Sequence, residues 1–541
     1  MKIGISVLTG VLLALSFPPL PFYFLAFVAF LPLLIFIESK IEGTSNANFF
    51  LSTYLTFVIY HVASNWWISS FQEETDPFLM ASGFAMDIAH PLFFLIPTYI
   101  YYKVRKKFGF NVSIFFFPVI WTGWEYFHSY GEFSYPWLAL GNNQIYNTTW
   151  IQFIDITGVF GATFLIALSN SLIMKMYKNV SSSTGKFKAG INLKWSFLLL
   201  SIFIIPLIYG AKKNNEFSDD NISSEEVSFG VVQPNKYPWK KWASGNVEQV
   251  KAMMAISDSL LNEDNTIDLF LWPETSILFV NLSGFNTAEN LWFVQDWVDS
   301  NNVSLISGFI HRYVYKNDEQ KQTSSRQFPN SDQFYEHFNS AIMLNPNLKP
   351  QTYHKMKLTP FAERIPNLEY FSFLMDYIKW GVGISSWGIG KDQHNLLLSN
   401  NDSQINIGNI ICIESIYPEF CRNFALQGAE ILSIITNDSW YDGTPGPEQH
   451  WQIARIRAIE NRRYIVRSAN SGVCGIIAPN GQEINRLNQY KQSGIIVKAK
   501  KVKTLSFYTK HGDLLAKSLF LIGVLIWIAS FIYPNKKTFA N

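Results

Sequence analysis

The sequence predicts a multi-pass α-helical membrane bundle joined to an α/β domain. Three observations carry that expectation. Of 541 residues, 16% are charged and 48% hydrophobic, whereas soluble domains usually carry about 25% charged residues. Apolar runs near the length that crosses a bilayer, about 20 residues, recur before residue 211 and once more near the end. Residues 212–513 differ in character: short β-rich runs alternate there with helical patterns.

Taken in order, the apolar runs cover roughly 3–18, 22–38, 48–70, 77–101, 112–129, 150–174 and 194–210, with an eighth at 515–533. Lys2 ahead of the first run has the look of a secretory leader. No small-x-small cleavage site follows, however, and Pro18, Pro19 and Pro21 lead straight into the next apolar run. An uncleaved helical hairpin is therefore expected. With the N-terminus inside, the inner loops hold Lys103, Arg105, Lys106, Lys107, Lys175, Lys178, Lys186, Lys188 and Lys194, and the tail holds Lys536 and Lys537. The outer loops hold Glu73, Glu74, Asp76 and Glu132 and no lysine or arginine. That asymmetry is the positive-inside pattern. It predicts a membrane domain over 1–211 with seven transmembrane helices, an extracytoplasmic domain over 212–513, and an eighth transmembrane helix with a cytoplasmic tail over 514–541.

Within 212–513, strands are expected at Val227–Gln233, Ile267–Leu271, Val303–Ile310, Ile407–Ile413, Ile431–Thr436, Val473–Ala478 and Gly494–Val502, and helices at 245–262, 287–300 and 447–463. A domain of this length can bury its own core. Residues 316–336 are polar and read as an exposed insertion. The net charge of +2, with no basic stripe interleaved with aromatics, argues against nucleic-acid binding. Cys412, Cys421 and Cys474 are too few for a disulfide framework, and no Cys/His cluster suggests a metal. No cofactor and no internal repeat are expected.

Three short strings carry chemistry. Glu274 follows the apolar strand Leu269–Leu271 and Trp272-Pro273, so it stands at a strand's C-terminal end, where α/β proteins build sites. A partly desolvated carboxylate there can serve as a general base. Lys355 precedes the Leu358-Thr359-Pro360-Phe361 turn, and Cys412 ends an apolar run. Each has an ordinary structural reading taken singly: a strand-end carboxylate in a salt bridge, a surface lysine, an inert core thiol. Together they supply the base, oxyanion donor and nucleophile of covalent acyl chemistry.

Longer strings sharpen this: Val232-Gln233-Pro234-Asn235 with Trp242, Trp272-Pro273-Glu274, Phe338-Asn339-Ser340-Ala341, Pro360-Phe361-Ala362-Glu363, Cys412-Ile413-Glu414, Asn437-Asp438-Ser439-Trp440, and Ala454-Arg455-x-Arg457-Ala458-x-Glu460. On these, residues 226–500 resemble the nitrilase superfamily, which implies an α-β-β-α sandwich with a Glu-Lys-Cys triad. In the membrane part, Trp121, Glu125, Phe133 to Leu138, Gly141 and Gln144 extend the likeness. The whole chain resembles the apolipoprotein N-acyltransferase family of the bacterial inner membrane. The resemblance implies Glu274 as general base, Lys355 as oxyanion donor together with the backbone N–H after the cysteine, and Cys412 as nucleophile. It implies supporting or substrate-binding roles for Glu363, Glu414 and Trp242. Ile413 stands where the family commonly has an aromatic, which leaves the backbone N–H but removes any ring contact.

The implied reaction moves an acyl chain from a membrane phospholipid to Cys412 as a thioester. From there it passes to the α-amine of the N-terminal diacylglyceryl-cysteine of an apolipoprotein, by a monomer with its catalytic domain on the periplasmic side. Water must be kept from a thioester. The apolar segment 370–380 suits a lid dipping into the interface, and equally suits a core-facing helix. Asp87, His90, Glu125 and His128 lie in or near membrane segments, either as functional groups or as interhelical hydrogen-bonding groups. The competing enzyme reading is a membrane-tethered nitrilase-type amidase acting on a small C–N substrate. A non-catalytic lipid scaffold is disfavoured because all three triad positions are filled.

Overall fold

The computed structural model describes residues 3–69, 77–181, 189–237, 246–282, 289–316, 319–373, 386–400 and 403–532. Trp242, the outer-loop acids Glu73, Glu74 and Asp76, Lys186, Lys188, Lys536, Lys537 and residues 374–380 lie outside them. Helices of two turns or more are, in chain order, α1 (Ile3–Leu15), α2 (Leu31–Ile41), α3 (Phe49–Asn65), α4 (Pro77–Ala89), α5 (Pro91–Phe108), α6 (Phe116–His128), α7 (Val159–Ser181), α8 (Ala189–Glu216), α9 (Asn246–Glu263), α10 (Glu289–Asn301), α11 (Pro418–Leu426), α12 (Gly446–Asn461) and α13 (Leu514–Ile532). The strands are β1 (Glu226–Gln233), β2 (Leu269–Leu271), β3 (Ile277–Val280), β4 (Ser304–Val314), β5 (Arg326–Gln327), β6 (Phe334–Leu344), β7 (Gln351–His354), β8 (Leu396–Asn400), β9 (Ser403–Ile411), β10 (Ile431–Thr436), β11 (Ile465–Ala469), β12 (Gly475–Ile477), β13 (Glu483–Arg486) and β14 (Ser493–Lys500). The chain divides into two compact units: Met1–Ile68 with Gly83–Asn215 and His511–Asn541, and Ser69–Ser82 with Glu216–Lys510.

The first unit is helical. Among the described residues, Tyr23–Ile41, Leu79–Phe108, Val159–Val180, Asn192–Glu216 and Leu514–Ile532 are long and apolar enough to cross a membrane. The other expected runs form shorter helices: α1 and α6 have 13 residues and α3 has 17. At 1.5 Å per residue these reach only about 20–26 Å against a hydrocarbon core of about 30 Å. The 77–101 run is interrupted where Pro91 opens α5, since proline supplies no N–H to continue the ladder. Basic residues gather at one buried acid: Arg105 donates to both Glu38 oxygens at 2.7 and 2.8 Å, and Lys178 pairs with Glu38 and Glu42. Glu125 accepts from Trp121 Nε1 at 2.9 Å, from the Leu140 N–H at 3.1 Å and from Thr163 Oγ1 at 2.8 Å, tying α6 to α7. Such bonds are the bundle-fixing use of an intramembrane carboxylate. His61 Nε2 lies 2.7 Å from His90 Nδ1, and the His90 and His128 rings sit 4.9 Å apart; Asp87 is buried.

Among the described residues, the second unit contains two sheets. The first has eight strands in the order β14-β1-β2-β4-β6-β5, with β3 pairing β4 and β7 pairing β6. The second has six in the order β13-β12-β11-β10-β9-β8. The β1-β2-β4 and β9-β10-β11 pairings are parallel. Parallel strands need covered faces. Val250, Met253 and Leu260 of α9 and Val294, Trp297 and Val298 of α10 bury one face of the first sheet against Phe270, Leu305, Ile342 and Leu344. On the second sheet, Phe424 of α11 seats against Gly408 of β9. The sheets meet each other directly, since Ser468 Oγ on β11 donates to the Val232 carbonyl on β1 at 2.8 Å. Helices outside and two sheets inside make the α-β-β-α sandwich.

Two expectations need correction. The 316–336 stretch is not simply exposed: Ser324 and Glu336 are buried, Ser324 Oγ donates to Glu336 at 3.1 Å, and Gln322 bonds both ways with Ile389. The polar composition there serves internal hydrogen bonds. The strand expected to run through Ile413 ends at Ile411, because Cys412 turns into the left-handed region at φ 52°.

Candidate active site

Two strand ends from the first sheet and two from the second converge. Glu274 lies three residues past β2, on a turn in which Thr275 has φ 51°. Gly308 of β4 lets that turn approach: a Cβ there would meet Glu274 Cα and Thr275 N at 2.5 Å and Pro273 O at 2.7 Å. All three are backbone atoms that cannot step aside. Lys355 follows β7, and its N–H donates to the Asn339 carbonyl of β6 at 2.8 Å. Cys412 follows β9, and Asn437 follows the adjacent parallel strand β10.

The Lys355 ammonium donates to Glu274 Oε1 at 3.0 Å and to Glu363 Oε1 and Oε2 at 2.9 and 2.8 Å. Asn339 Nδ2 bridges the same carboxylates, at 2.7 Å to each Oε1. The Asn437 N–H closes the other side of Glu274, at 2.9 Å from Oε2. Thr359 offers Glu363 both its N–H and its hydroxyl, at 2.8 and 2.9 Å. Glu274 is 5% exposed and Lys355 1%. Burial would lower the lysine pKa, yet the Glu274 and Glu363 charges hold it well above its ordinary value. Burial likewise opposes ionisation of Glu363, and the Lys355 charge overrides it, drawing the pKa down.

Cys412 opens a short 3-10 turn over Cys412–Ile416. Burial first and the Glu274 charge second push its thiol up, with Lys355 opposing them, so Glu274, Lys355 and Cys412 form one electrostatic group. Ile413 is buried. Glu414 braces the turn: its carboxylate accepts from the N–H groups of Ile411 at 2.9 Å and Met356 at 2.7 Å and from Tyr353 OH at 2.8 Å. This joins the nucleophile turn to the segment carrying Lys355. Burial raises Glu414 to about 7 despite those donors. Cys421 and Cys474 are buried, and none of the three cysteines forms a disulfide.

The structure thus brings Glu274, Lys355, Glu363, Cys412 and Glu414 together; Trp242 is outside the described residues. Two groups were missed. Asn339 stands in the Phe338-Asn339-Ser340-Ala341 string, whose local pattern does not disclose that its buried amide, with two N–H donors, bridges two carboxylates. His450 was not singled out at all. It lies on α12, 2.9 Å from Asp438 Oδ1, 2.7 Å from Ser415 Oγ and 3.2 Å from the Cys412 carbonyl. Burial opposes ionisation of Asp438, but Arg467 and His450 hold its carboxyl well below the usual range.

Sandwich and membrane helices together define a membrane enzyme of the nitrilase superfamily, and residues 229–506 match the carbon-nitrogen hydrolase family. Residues 9–172 match the apolipoprotein N-acyltransferase N-terminal domain. The chain is 31% identical over 538 residues to an apolipoprotein N-acyltransferase of Chlorobaculum tepidum, covering 97% of this chain and 96% of that one. It is 26% identical to that of Geobacter metallireducens, over 94% and 92% of the two chains, and 28% identical to apolipoprotein N-acyltransferase 2 of Treponema denticola, over 88% and 87%. This chain belongs to the apolipoprotein N-acyltransferase family. These relatives do not favour the small-substrate amidase reading.

Proposed function

We propose that this protein N-acylates apolipoproteins at the bacterial inner membrane, with Cys412 as nucleophile, Glu274 as general base and Lys355 as oxyanion donor. The acyl donor is a membrane phospholipid, and the acceptor is the α-amine of an N-terminal diacylglyceryl-cysteine. The chain crosses the membrane eight times, acts as a monomer and carries residues 212–513 on the periplasmic side. The observation that carries this reading is the buried Glu274–Lys355–Glu363 cluster beside Cys412, in a chain related over nearly its full length to apolipoprotein N-acyltransferases.

As the Cys412 sulfur bonds to the ester carbonyl carbon, Glu274 takes the thiol proton. The tetrahedral oxyanion is received by the Lys355 ammonium and the Ile413 N–H. The C–O bond breaks, Glu274 returns the proton to the departing lysophospholipid oxygen, and a thioester remains. The neutral acceptor amine then attacks the thioester, its N–H proton passes to Glu274, the C–N bond forms and the C–S bond breaks. The Cys412 thiolate recovers the proton. Glu363 and Asn339 hold Lys355 and Glu274 in register through both steps.

The test supplies phospholipid without acceptor and seeks a hydroxylamine-sensitive acyl adduct on Cys412. The unaltered protein accumulates it and discharges it to a diacylglyceryl-cysteine peptide, while Cys412→Ser and Glu274→Gln accumulate none. Discharge to small amines or water with no preference for the lipidated peptide would overturn the assignment of the acceptor.

A further inference from the structure

Cys412 adopts φ 52° although it is not glycine, and such residues persist where their surroundings enforce the conformation. The constraint acts on the carbonyl oxygen of Cys412. It accepts from Ser415 Oγ at 2.8 Å and lies 3.2 Å from His450 Nε2, itself 2.7 Å from Ser415 Oγ. A carbonyl can only accept, so all three contacts are satisfied together when Nε2 carries a proton shared between the Cys412 oxygen and Ser415 Oγ. Behind the ring, Nδ1 lies 2.9 Å from Asp438 Oδ1 and 3.0 Å from Arg467 Nη2. Arg467 also donates to Asp438 Oδ2 at 2.7 Å and to the Val473 carbonyl at 2.6 Å, and Thr436 Oγ1 donates to Asp438 Oδ1 at 2.9 Å. Ser415, Asp438, His450 and Arg467 are all buried, so the ring is fixed from both sides.

The Cys412–Ile413 peptide is a rigid plane whose C=O and N–H point in opposite directions. Holding its oxygen therefore aims its N–H. We infer that His450, held by Asp438 and Arg467, is a positioning residue that clamps the Cys412 carbonyl and so directs the Ile413 N–H at the acyl oxyanion. The inference rests on the acyl-enzyme reading above. His450 has no part in removing the thiol proton, which falls to Glu274.

That division makes the inference testable in the full-length protein in detergent micelles. Alkylation of Cys412 by iodoacetamide needs thiolate but forms no oxyanion. Acylation from phosphatidylethanolamine bearing a labelled acyl chain passes through one. In His450→Gln the side-chain amide nitrogen falls where Nε2 stood, and in His450→Asn where Nδ1 stood. His450→Ala and His450→Asn are expected to slow acyl-adduct formation by about 10²-fold, the scale of one oxyanion donor. The half-saturating phospholipid concentration and the alkylation rate should stay at the parent's values. His450→Gln should recover most of the acylation rate. Parallel slowing of alkylation and acylation overturns the inference, as does a Gln variant no better than Asn. If the Ala variant does not fold, the Gln–Asn pair makes the same comparison. Should the parent protein form no adduct, the acyl-enzyme reading fails and this inference with it. A parent that forms the adduct beside an undiminished Ala variant overturns the role of His450 alone.

Discussion

Lys355 meets three carboxylate oxygens while almost wholly buried. Breaking a buried ion pair by removing one partner typically costs about 3–5 kcal/mol. Lys355→Met leaves the buried Glu274 and Glu363 carboxylates without their shared cation, so it is expected to lose stability on that scale and acyl transfer by about 10²–10³-fold. Thermal unfolding and adduct formation measure the two; a variant as stable as the parent would show that the cluster is not ionised as described. Glu414 gives a pH dependence. Its folded pKa of about 7 exceeds the ordinary carboxyl value of 4.5, so the folded state favours its protonated form. Its contribution is complete below pH 4.5 and is lost as pH rises through 7, by about 3 kcal/mol at 1.36 kcal/mol per unit. Denaturation midpoints at pH 5 and pH 8 should therefore differ more in the parent than in Glu414→Gln; equal differences would refute it. At this scale the triad was legible because Glu, Lys and Cys stand in distinctive strings. Asn339 and His450 were not, since nothing in a local string shows that an amide will bridge two carboxylates or that a helical histidine will reach a carbonyl 38 residues away.

The elements place these groups through close backbone approach. Since a Cβ at Gly308 would meet only backbone atoms of the Glu274 turn, at 2.5–2.7 Å, Gly308→Ala must displace that turn. Misplacement by about 1 Å can cost 10²-fold in rate. We expect a fall in kcat of at least ~10-fold with little change in the phospholipid concentration dependence; a variant with unaltered kcat would show that the turn can yield. Strands β1, β4, β10 and β14 and helices α9, α10 and α12 were legible as apolar runs and amphipathic patterns. β6 and β11 were not, because Glu336, His337, Asn339, Arg467 and Ser468 interrupt their apolar character with buried or half-buried polar groups that serve the site or the protein interior. The end of β9 was read two residues late because the left-handed turn at Cys412 leaves no mark in an apolar run. Only part of the proposed lid is described, and there Tyr370 and Phe373 are 80% and 61% exposed, unlike a core-facing helix.

At the scale of the whole molecule, charge asymmetry between loops is the basis of orientation. A reporter inserted near Ser182 should report the cytoplasm and one near Ser325 the outer side; both on one side would overturn the eight-crossing arrangement. Membrane character was legible because apolar length is a direct demand of the bilayer. Helix ends were not, because prolines and 3-10 turns divide an apolar run without changing its hydropathy. The proposed outward placement of residues 212–513 puts Cys412 where oxidants are met. Two carboxylates and one ammonium leave a residual negative charge beside it, and burial already pushes its thiol up. Peroxides attack thiolates far faster than thiols, so a thiol pushed up in this way offers peroxide less thiolate than a free cysteine does. On that proposed placement, the cluster that raises the thiol also shields it between turnovers, where no cytosolic reductant would repair it.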